Sequence, residues 1–323
     1  MIAEVLVRAP AKINLGLEVL HKRDDGFHEM RTVLQTIRLS DRLRIRASRP
    51  AGKGEGRITL TVSASRQIAD LGPADENLVV RAARGYRDSW RGPANRDGAA
   101  GGEAPLDLSF ELTKRIPVGA GLGGGSSDAA ATLVGLAALL GPLDPDPSRH
   151  RERVRSLAAA LGSDVPFFLD GGTQLGTGRG EVVEPIPPWP GGPLAVVYPN
   201  VSLPTSSIYR RVRLPLTPPG PLARMSARDF SRGFWEPARR ELRNDLQDAV
   251  VAESPDVGKL LASFEALGSA FARVTGSGSA VFGVASSMDE ARRWAERFRG
   301  NGCWARATGP ARSGCRLLSI ARS

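Results

Sequence analysis

The segment Pro117-Val118-Gly119-Ala120-Gly121-Leu122-Gly123-Gly124-Gly125-Ser126-Ser127-Asp128 sets five glycines directly before a long apolar run. Glycine reaches left-handed backbone conformations and lets a ligand approach the main chain closely. Where such a loop runs into a helix, the free N–H groups of the first turn and the helix dipole bind phosphate. Phosphate binding is therefore the chemistry this segment predicts. It is not a Walker A loop, because no Gly-Lys-Ser/Thr follows. Gly119, Gly121 and Gly124 satisfy G-x-G-x-x-G, but a dinucleotide fold needs a strand running into the first glycine and an acid closing the next strand. Here Thr113-Lys114-Arg115-Ile116-Pro117 intervenes, and Asp144, at the right spacing, sits in Gly141-Pro142-Leu143-Asp144-Pro145, a loop after a helix.

Other residues able to do chemistry lie far apart. Lys12 and Asn14 are two apart in an alternating run, so a strand points both to one face. A fixed ammonium there can neutralise phosphoryl charge or keep an aspartate ionised; an exposed strand lysine is the plainer reading. Asp164 follows a helix end and precedes Val165-Pro166-Phe167-Phe168. It reads as the cap of a short following turn or, beside a cation, as a general base. Phe27 and His28 follow the turn Asp24-Asp25-Gly26 and read most simply as a hydrophobic plug and a surface histidine. His21, His28 and His150 show no metal-ligand pattern, and Cys303 and Cys315 cannot make a four-ligand zinc site or a disulfide framework alone.

Mixed strands and helices must position these groups. Val5–Arg8 reads as a strand broken at Pro10, and a second runs from about Lys12 to Leu20. Alternation recurs at Leu43 and Ile45, at Ile58, Leu60 and Val62, and at Leu106, Leu108, Phe110 and Leu112. Leu194 to Tyr198 reads as a buried strand, and strands at Phe271–Val274 and Ala280–Val284 flank the turn Gly276-Ser277-Gly278-Ser279. Helical spacing covers residues 77–86, 126–140, 148–161 and 254–266. Ser126 or Ser127 is the expected N-cap of the second. A further helix opens at Ser287 with a capping box to Glu290. Elements in mixed runs, without strict βαβ alternation, predict an α+β fold. The length of 323 residues allows two domains or one large one. Residues 91–104 form a Gly/Ala-rich polar loop, the best candidate for a mobile segment, and 217–240 are rich in Pro, Gly and Arg.

Hydrophobic residues at 41% and charged residues at 24% mark a folded chain. No run approaches the roughly 18 apolar residues of a membrane span. Met1-Ile2-Ala3-Glu4 lacks the basic start of a secretory signal, so a cytoplasmic protein without membrane partners is expected. The net charge of +10 suits anionic partners. No basic stripe interleaved with aromatics appears, so nucleic acid is not the expected partner.

The glycine segment resembles the phosphate loop of the GHMP small-molecule kinases, Pro-x-x-x-Gly-Leu-Gly-Ser-Ser. Three glycines before Ser-Ser resemble the form found in members that phosphorylate a hydroxyl of a cytidine diphosphate alcohol, in the non-mevalonate route to isoprenoid precursors. Five further blocks match in order: Ala9-Pro10-Ala11-Lys12-Ile13-Asn14-Leu15, Asp25-Gly26-Phe27-His28, Leu161-Gly162-Ser163-Asp164-Val165-Pro166-Phe167-Phe168, Gly178-Arg179-Gly180-Glu181 and Thr275-Gly276-Ser277-Gly278-Ser279. The resemblance spans about residues 9 to 284; the stretches 91–104 and 217–240 look like insertions. It implies an ATP-dependent kinase of two domains, an N-terminal one like domain 2 of ribosomal protein S5 (1–168) and a C-terminal α/β sandwich (169–323). The active site would lie between them. It further implies Asp164 as general base with Lys12 beside it, and ATP held by Pro117 to Ser127 with Asn77 and Lys114. Asn14, Phe27, His28 and Tyr209 would hold the substrate, with Phe27 and Tyr209 sandwiching the cytosine and His28 bonding its edge. Magnesium would arrive with ATP, its protein ligands unassigned. The partners implied are small molecules, for a monomer or a homodimer.

Two rivals remain open at this point. A kinase of the same superfamily acting on mevalonate or homoserine would have no use for a base clamp at Phe27, His28 and Tyr209. A non-catalytic RNA-binding protein sharing the N-terminal fold would show salt-sensitive RNA affinity without turnover.

Overall fold

Alternating apolar residues build a long antiparallel pair, β1 (Ala3–Lys22) and β2 (His28–Ser48), in a computed structural model that describes residues 3–50, 56–64, 73–90, 106–212, 220–230, 235 and 241–322. Pro10 does not break β1. It pairs opposite Ser40, and the register slips between Pro10 and Lys12. A residue without an N–H is tolerated at such an irregularity. Before the slip, Val5, Val7 and Ala9 face a helical layer; beyond it, Ala11, Ile13 and Leu15 pack on a second sheet. Lys12 and Asn14 look into the cleft between.

The first sheet runs β11-β1-β2-β4-β3, with β5 on β2 and β6 on β5. Its other strands are β3 (Ile58–Ala64), β4 (Asp107–Lys114), β5 (Thr173–Thr177), β6 (Val182–Pro185) and β11 (Arg316–Arg322). Only β3 and β4 pair in parallel. One face is covered by α1 (Leu78–Trp90), α2 (Gly124–Leu140), α3 (Pro147–Leu161) and α4 (Val165–Asp170), through Val79, Ala83, Tyr86, Ala130, Leu133 and Phe167 among others. The second sheet, β10-β7-β9-β8, is antiparallel and comprises β7 (Leu194–Tyr198), β8 (Ala272–Val274), β9 (Val281–Val284) and β10 (Trp304–Thr308). α6 (Gln247–Glu253), α7 (Pro255–Ala266) and α8 (Met288–Gly300) pack on it with Val250, Phe264, Trp294 and Phe298; α5 (Thr205–Arg211) adds Ile208.

The α+β expectation holds. β5, β6 and β11 follow residue 168 yet pair within the first sheet, so the sheets do not part at 168/169. Two caps differ from expectation. α2 begins two residues earlier, with Gly123 as its N-cap at φ 69°, which leaves Ser126 and Ser127 inside the first turn. At α8, Ser287 Oγ accepts the Glu290 N–H, but the Glu290 carboxylate turns to the N–H and hydroxyl of Ser286, so the capping box is half made. Residues 91–104 lie outside the described residues. So does half of 217–240, of which Gly220–Phe230 and Trp235 are described. There the N–H groups of Leu222 and Ala223 donate to the buried Glu18 carboxylate, fastening this segment to β1.

Candidate active site

A cavity of about 670 Å³ opens where β1, the start of α2, the start of α4 and the turn after β8 converge. Its lining includes Lys12, Asn14, Gly121, Gly123, Ser126, Asp164 and Gly276 at one end and Phe27, His28, Arg179, Tyr209 and Arg210 at the other. Residues from six separate stretches of sequence thus share one space.

Lys12 is buried, with its Nζ donating to Asn14 Oδ1 at 2.6 Å and lying 3.5 Å from Asp164 Oδ2. Asp164 precedes α4, but its side chain makes no capping hydrogen bond. The carboxylate is free for Lys12 and for the cavity. Asn14 is itself fixed: its Nδ2 donates to Thr32 Oγ1 at 2.8 Å, and its N–H to Thr275 Oγ1 at 3.1 Å. These bonds set the amide so that its oxygen meets the ammonium. Thr32 and Thr275 orient the group that orients Lys12; in the sequence only the Thr275 motif signalled this.

The glycine loop is folded by its left-handed residues, Gly119 (φ 70°), Gly121 (φ 79°) and Gly123 (φ 69°). A Cβ on Gly123 would stand 2.8 Å from Phe168 Cζ and 3.0 Å from Lys12 Cγ, so glycine lets the loop press onto Lys12. The Leu122 carbonyl accepts the Lys12 N–H at 3.0 Å. In α2 the first intrahelical bond runs from Ser127 N–H to the Gly123 carbonyl. The N–H groups of Gly124, Gly125 and Ser126 precede it, aimed out of the helix end where the dipole favours an anion. From the far side, the Ala280 N–H donates to the Ala120 carbonyl, and Thr275 Oγ1 lies 3.3 Å from the Gly121 carbonyl. Asn244 anchors this second glycine turn through Nδ2 to the carbonyls of Val274 and Gly276. Nothing in the sequence pattern singled out Asn244.

Of the residues expected to hold ATP, Gly121, Gly123 and Ser126 line the cavity; Pro117, Val118, Gly119, Ala120, Leu122, Gly124, Gly125, Ser127, Asn77 and Lys114 do not. Ser127 is buried with its hydroxyl 3.8 Å from Cys315 Sγ, so Ser126 alone of the pair lines the cavity. Gly124 faces inward: a Cβ there would meet Ile116 Cγ2 at 2.9 Å and Lys114 Nζ at 3.1 Å. Asn77 caps α1, its Oδ1 accepting the Val79 N–H at 2.9 Å. Lys114 is buried, its ammonium held between Asp41 and Asp128. Asp41 also accepts the N–H groups of Arg115 and Ile116. This buried trio ties the strand entering the loop to the helix leaving it. Burial pushes the Asp128 carboxyl up to about 7 against the pull of Lys114.

At the other end, Tyr209 stacks on His28 rather than standing free, with ring centroids 5.1 Å apart and planes 29° apart. Phe27 is 53% exposed, with the Arg179 guanidinium 4.7 Å over its ring. Its turn is held by Phe27 N–H to Asp25 Oδ1 and by Arg23, which bonds Asp25 and Glu29. Glu29 in turn accepts the Gly178 N–H, linking the turn to the Arg179 hairpin. Burial, then the nearby Lys22 charge, lowers the His28 pKa, so the ring is neutral at pH 7. Burial and the Asp164 charge raise that of Tyr209. A flat group entering here meets an exposed ring, a neutral imidazole and three cations, Lys22, Arg179 and Arg210.

For magnesium, Asp164 is the one carboxylate among the described residues that line the cavity, and Ser126 a hydroxyl in the first turn of α2. Among the described residues no group of three or more His, Cys, Asp and Glu could hold a metal by itself. The donors suit an ion shared with nucleotide phosphates, the usual state of magnesium.

Comparison with known proteins agrees with this geometry. Residues 77–172 match the GHMP kinases N terminal domain and residues 226–302 the GHMP kinases C terminal. The chain is 40% identical over 281 residues to a 4-diphosphocytidyl-2-C-methyl-D-erythritol kinase of Solibacter usitatus, covering 86% of this chain and 80% of that protein. A crystal structure of 4-(cytidine 5'-diphospho)-2C-methyl-D-erythritol kinase superposes with TM-score 0.71 at 34% identity, over 95% of this chain and 99% of the other. Homoserine kinase from Cytophaga hutchinsonii shares the fold, with TM-score 0.62 at 18% identity over 98% and 97% of the two chains.

Proposed function

We propose, for a chain that belongs to the GHMP kinases and among them to the 4-diphosphocytidyl-2-C-methyl-D-erythritol kinase family, that it transfers the γ-phosphoryl group of ATP to the 2-hydroxyl of 4-diphosphocytidyl-2-C-methyl-D-erythritol. The products are the 2-phosphate and ADP, on the route to isoprenoid precursors. The observation that carries this reading is the Lys12–Asp164 pair, placed in the same cavity as the glycine loop and the aromatic turn.

Phosphoryl transfer asks the protein mainly for positioning and charge stabilisation. The loop N–H groups at Gly124, Gly125 and Ser126 hold the phosphates of ATP. Asp164 takes the proton of the attacking hydroxyl. Lys12, 3.5 Å from Asp164, offsets charge on the transferred group. Magnesium is bound with ATP as part of the co-substrate, with Asp164 and Ser126 as the protein oxygens within the cavity. The cytosine lies against Phe27 and the His28–Tyr209 stack, with neutral His28 able to donate to or accept from its edge. Lys22, Arg179 and Arg210 face the diphosphate.

We place the enzyme in the cytoplasm, as a monomer or a homodimer. Among the described residues no helix is long and apolar enough to cross a membrane.

Incubation with ATP, magnesium and the cytidine substrate, followed by phosphorus NMR, should show a new phosphomonoester growing in step with ADP. Mevalonate and homoserine should give none. Turnover of either in place of the cytidine substrate would overturn the reading. RNA binding without any turnover would point to the non-catalytic alternative.

A further inference from the structure

A second cavity, of about 430 Å³, opens between β2 and β10 and shares no lining residue with the first. Its wall carries Arg38, Arg115 and Arg306 together with Leu39 and Trp304. No acid lines it. Arg306 lies 5.6 Å over the Trp304 ring, and Arg38 Nε bonds the Pro310 carbonyl at 3.4 Å. Among the described residues none of these three guanidinium groups is in an ion pair. Asp41, the acid behind the wall, is taken up by Lys114 and by the N–H groups of Arg115 and Ile116.

Three uncompensated like charges around one concavity repel one another. Concave, low-dielectric walls focus that potential on an entering anion. Guanidinium forks match phosphate oxygens two at a time. The volume suits a small-molecule ligand. We propose that this cavity is a second binding site, for a diphosphate-bearing small molecule whose organic part rests on Leu39, beside the buried Trp304 that carries Arg306 on its ring. Its occupancy reaches the phosphate loop by a short path. Arg115 and Lys114 share Asp41, and Lys114 holds Asp128 in the first turns of α2.

The test is calorimetric titration of inorganic pyrophosphate into enzyme kept saturated with ADP, so that the glycine loop is already filled. Wild type should bind, and Arg38→Ala/Arg306→Ala should bind at least tenfold more weakly. Arg115→Gln, on a different element, should weaken binding in the same direction. All three side chains are exposed, so the variants should fold, and KM for both substrates should stay unchanged without pyrophosphate. No heat of binding to the ADP-saturated wild type overturns the proposal. Undiminished binding in the double variant, or binding abolished by chloride at about 0.15 M, overturns it equally.

Discussion

The Lys12 ammonium and the Asp164 carboxylate stand 3.5 Å apart in unlike surroundings: the lysine side chain is 5% exposed and the aspartate 35%. Asn14 and the glycine loop pin the cation, while the anion opens on the cavity. A group entering the cavity meets the carboxylate more openly than the ammonium. The pair is polarised in space, with a buried cation behind and an open carboxylate in front.

Asp164→Asn keeps the shape and removes the base. Loss of a general base commonly costs on the order of 10²–10⁴ in rate. We expect kcat to fall by that factor with little change in KM for either substrate. Lys12→Met should also cut kcat strongly. Steady-state kinetics on both variants checks this, and wild-type kcat in Asp164→Asn would remove the residue from the chemistry.

The two aromatic residues at the far end should behave differently. Stacking on a base contributes roughly 1–3 kcal/mol, or about 5- to 150-fold in affinity. Phe27→Ala should raise KM for the cytidine substrate by such a factor without changing Tm, because that ring is mostly exposed. Tyr209→Ala should raise the same KM and also lower Tm, since it removes the ring stacked on His28. KM for ATP should be unmoved in both. Equal losses for ATP and the cytidine substrate would make the two rings packing residues only.

Gly124→Val tests the inward face of the loop. The added carbons meet Ile116 and Lys114, not the cavity. Overpacking of this kind costs about 1–3 kcal/mol. The variant should lose several degrees in Tm, which a thermal melt will show. A melt identical to wild type would mean that this glycine faces open space after all.

Asp128 gives a pH signature. Its folded pKa, raised to about 7 from an ordinary 3.8, means that the folded chain holds the proton more tightly than the unfolded chain. The contribution is full below pH 3.8 and is lost as pH rises through about 7. Asp128→Asn removes that loss. Its Tm relative to wild type should therefore improve by a few degrees between about pH 5 and pH 8.5. A Tm difference that stays constant across that range would mean that Asp128 titrates normally.

Much of this architecture is legible in the residues because it is local. The glycine loop, the alternation of Ile13, Leu15 and Leu17, and the run from Ala129 to Leu136 each carry their own pattern. What escaped depends on partners distant in sequence. Pro10 reads as a strand breaker until Ser40 and a slipped register are set beside it. Lys114 reads as a ligand for phosphate until Asp41 and Asp128 close on it. Asn244 has no local signal, because its task is to hold two carbonyls of a turn some thirty residues away. The pairing of Tyr209 with His28 is likewise invisible in the chain, since nothing in either neighbourhood fixes which ring meets which.

The last described strand completes the sheet begun by the first described strand. β11 pairs with Ala3–Arg8 of β1, and just before it the chain sews together the backs of the catalytic elements. The N–H groups of Gly314 and Cys315 donate to the carbonyls of Asp170 and Phe168 in α4, and Cys315 Sγ touches Ser127 in α2. Asp164 and the phosphate loop thus lead into two helices whose shared buttress follows every described strand but β11 in the chain. On the ribosome, a nascent chain that has already made Lys12, the glycine loop and Asp164 still lacks what holds them in register. Such pairing between distant stretches is slow to form. A stop codon just before Ala311 should therefore abolish kinase activity while leaving Lys12, the glycine loop and Asp164 in place.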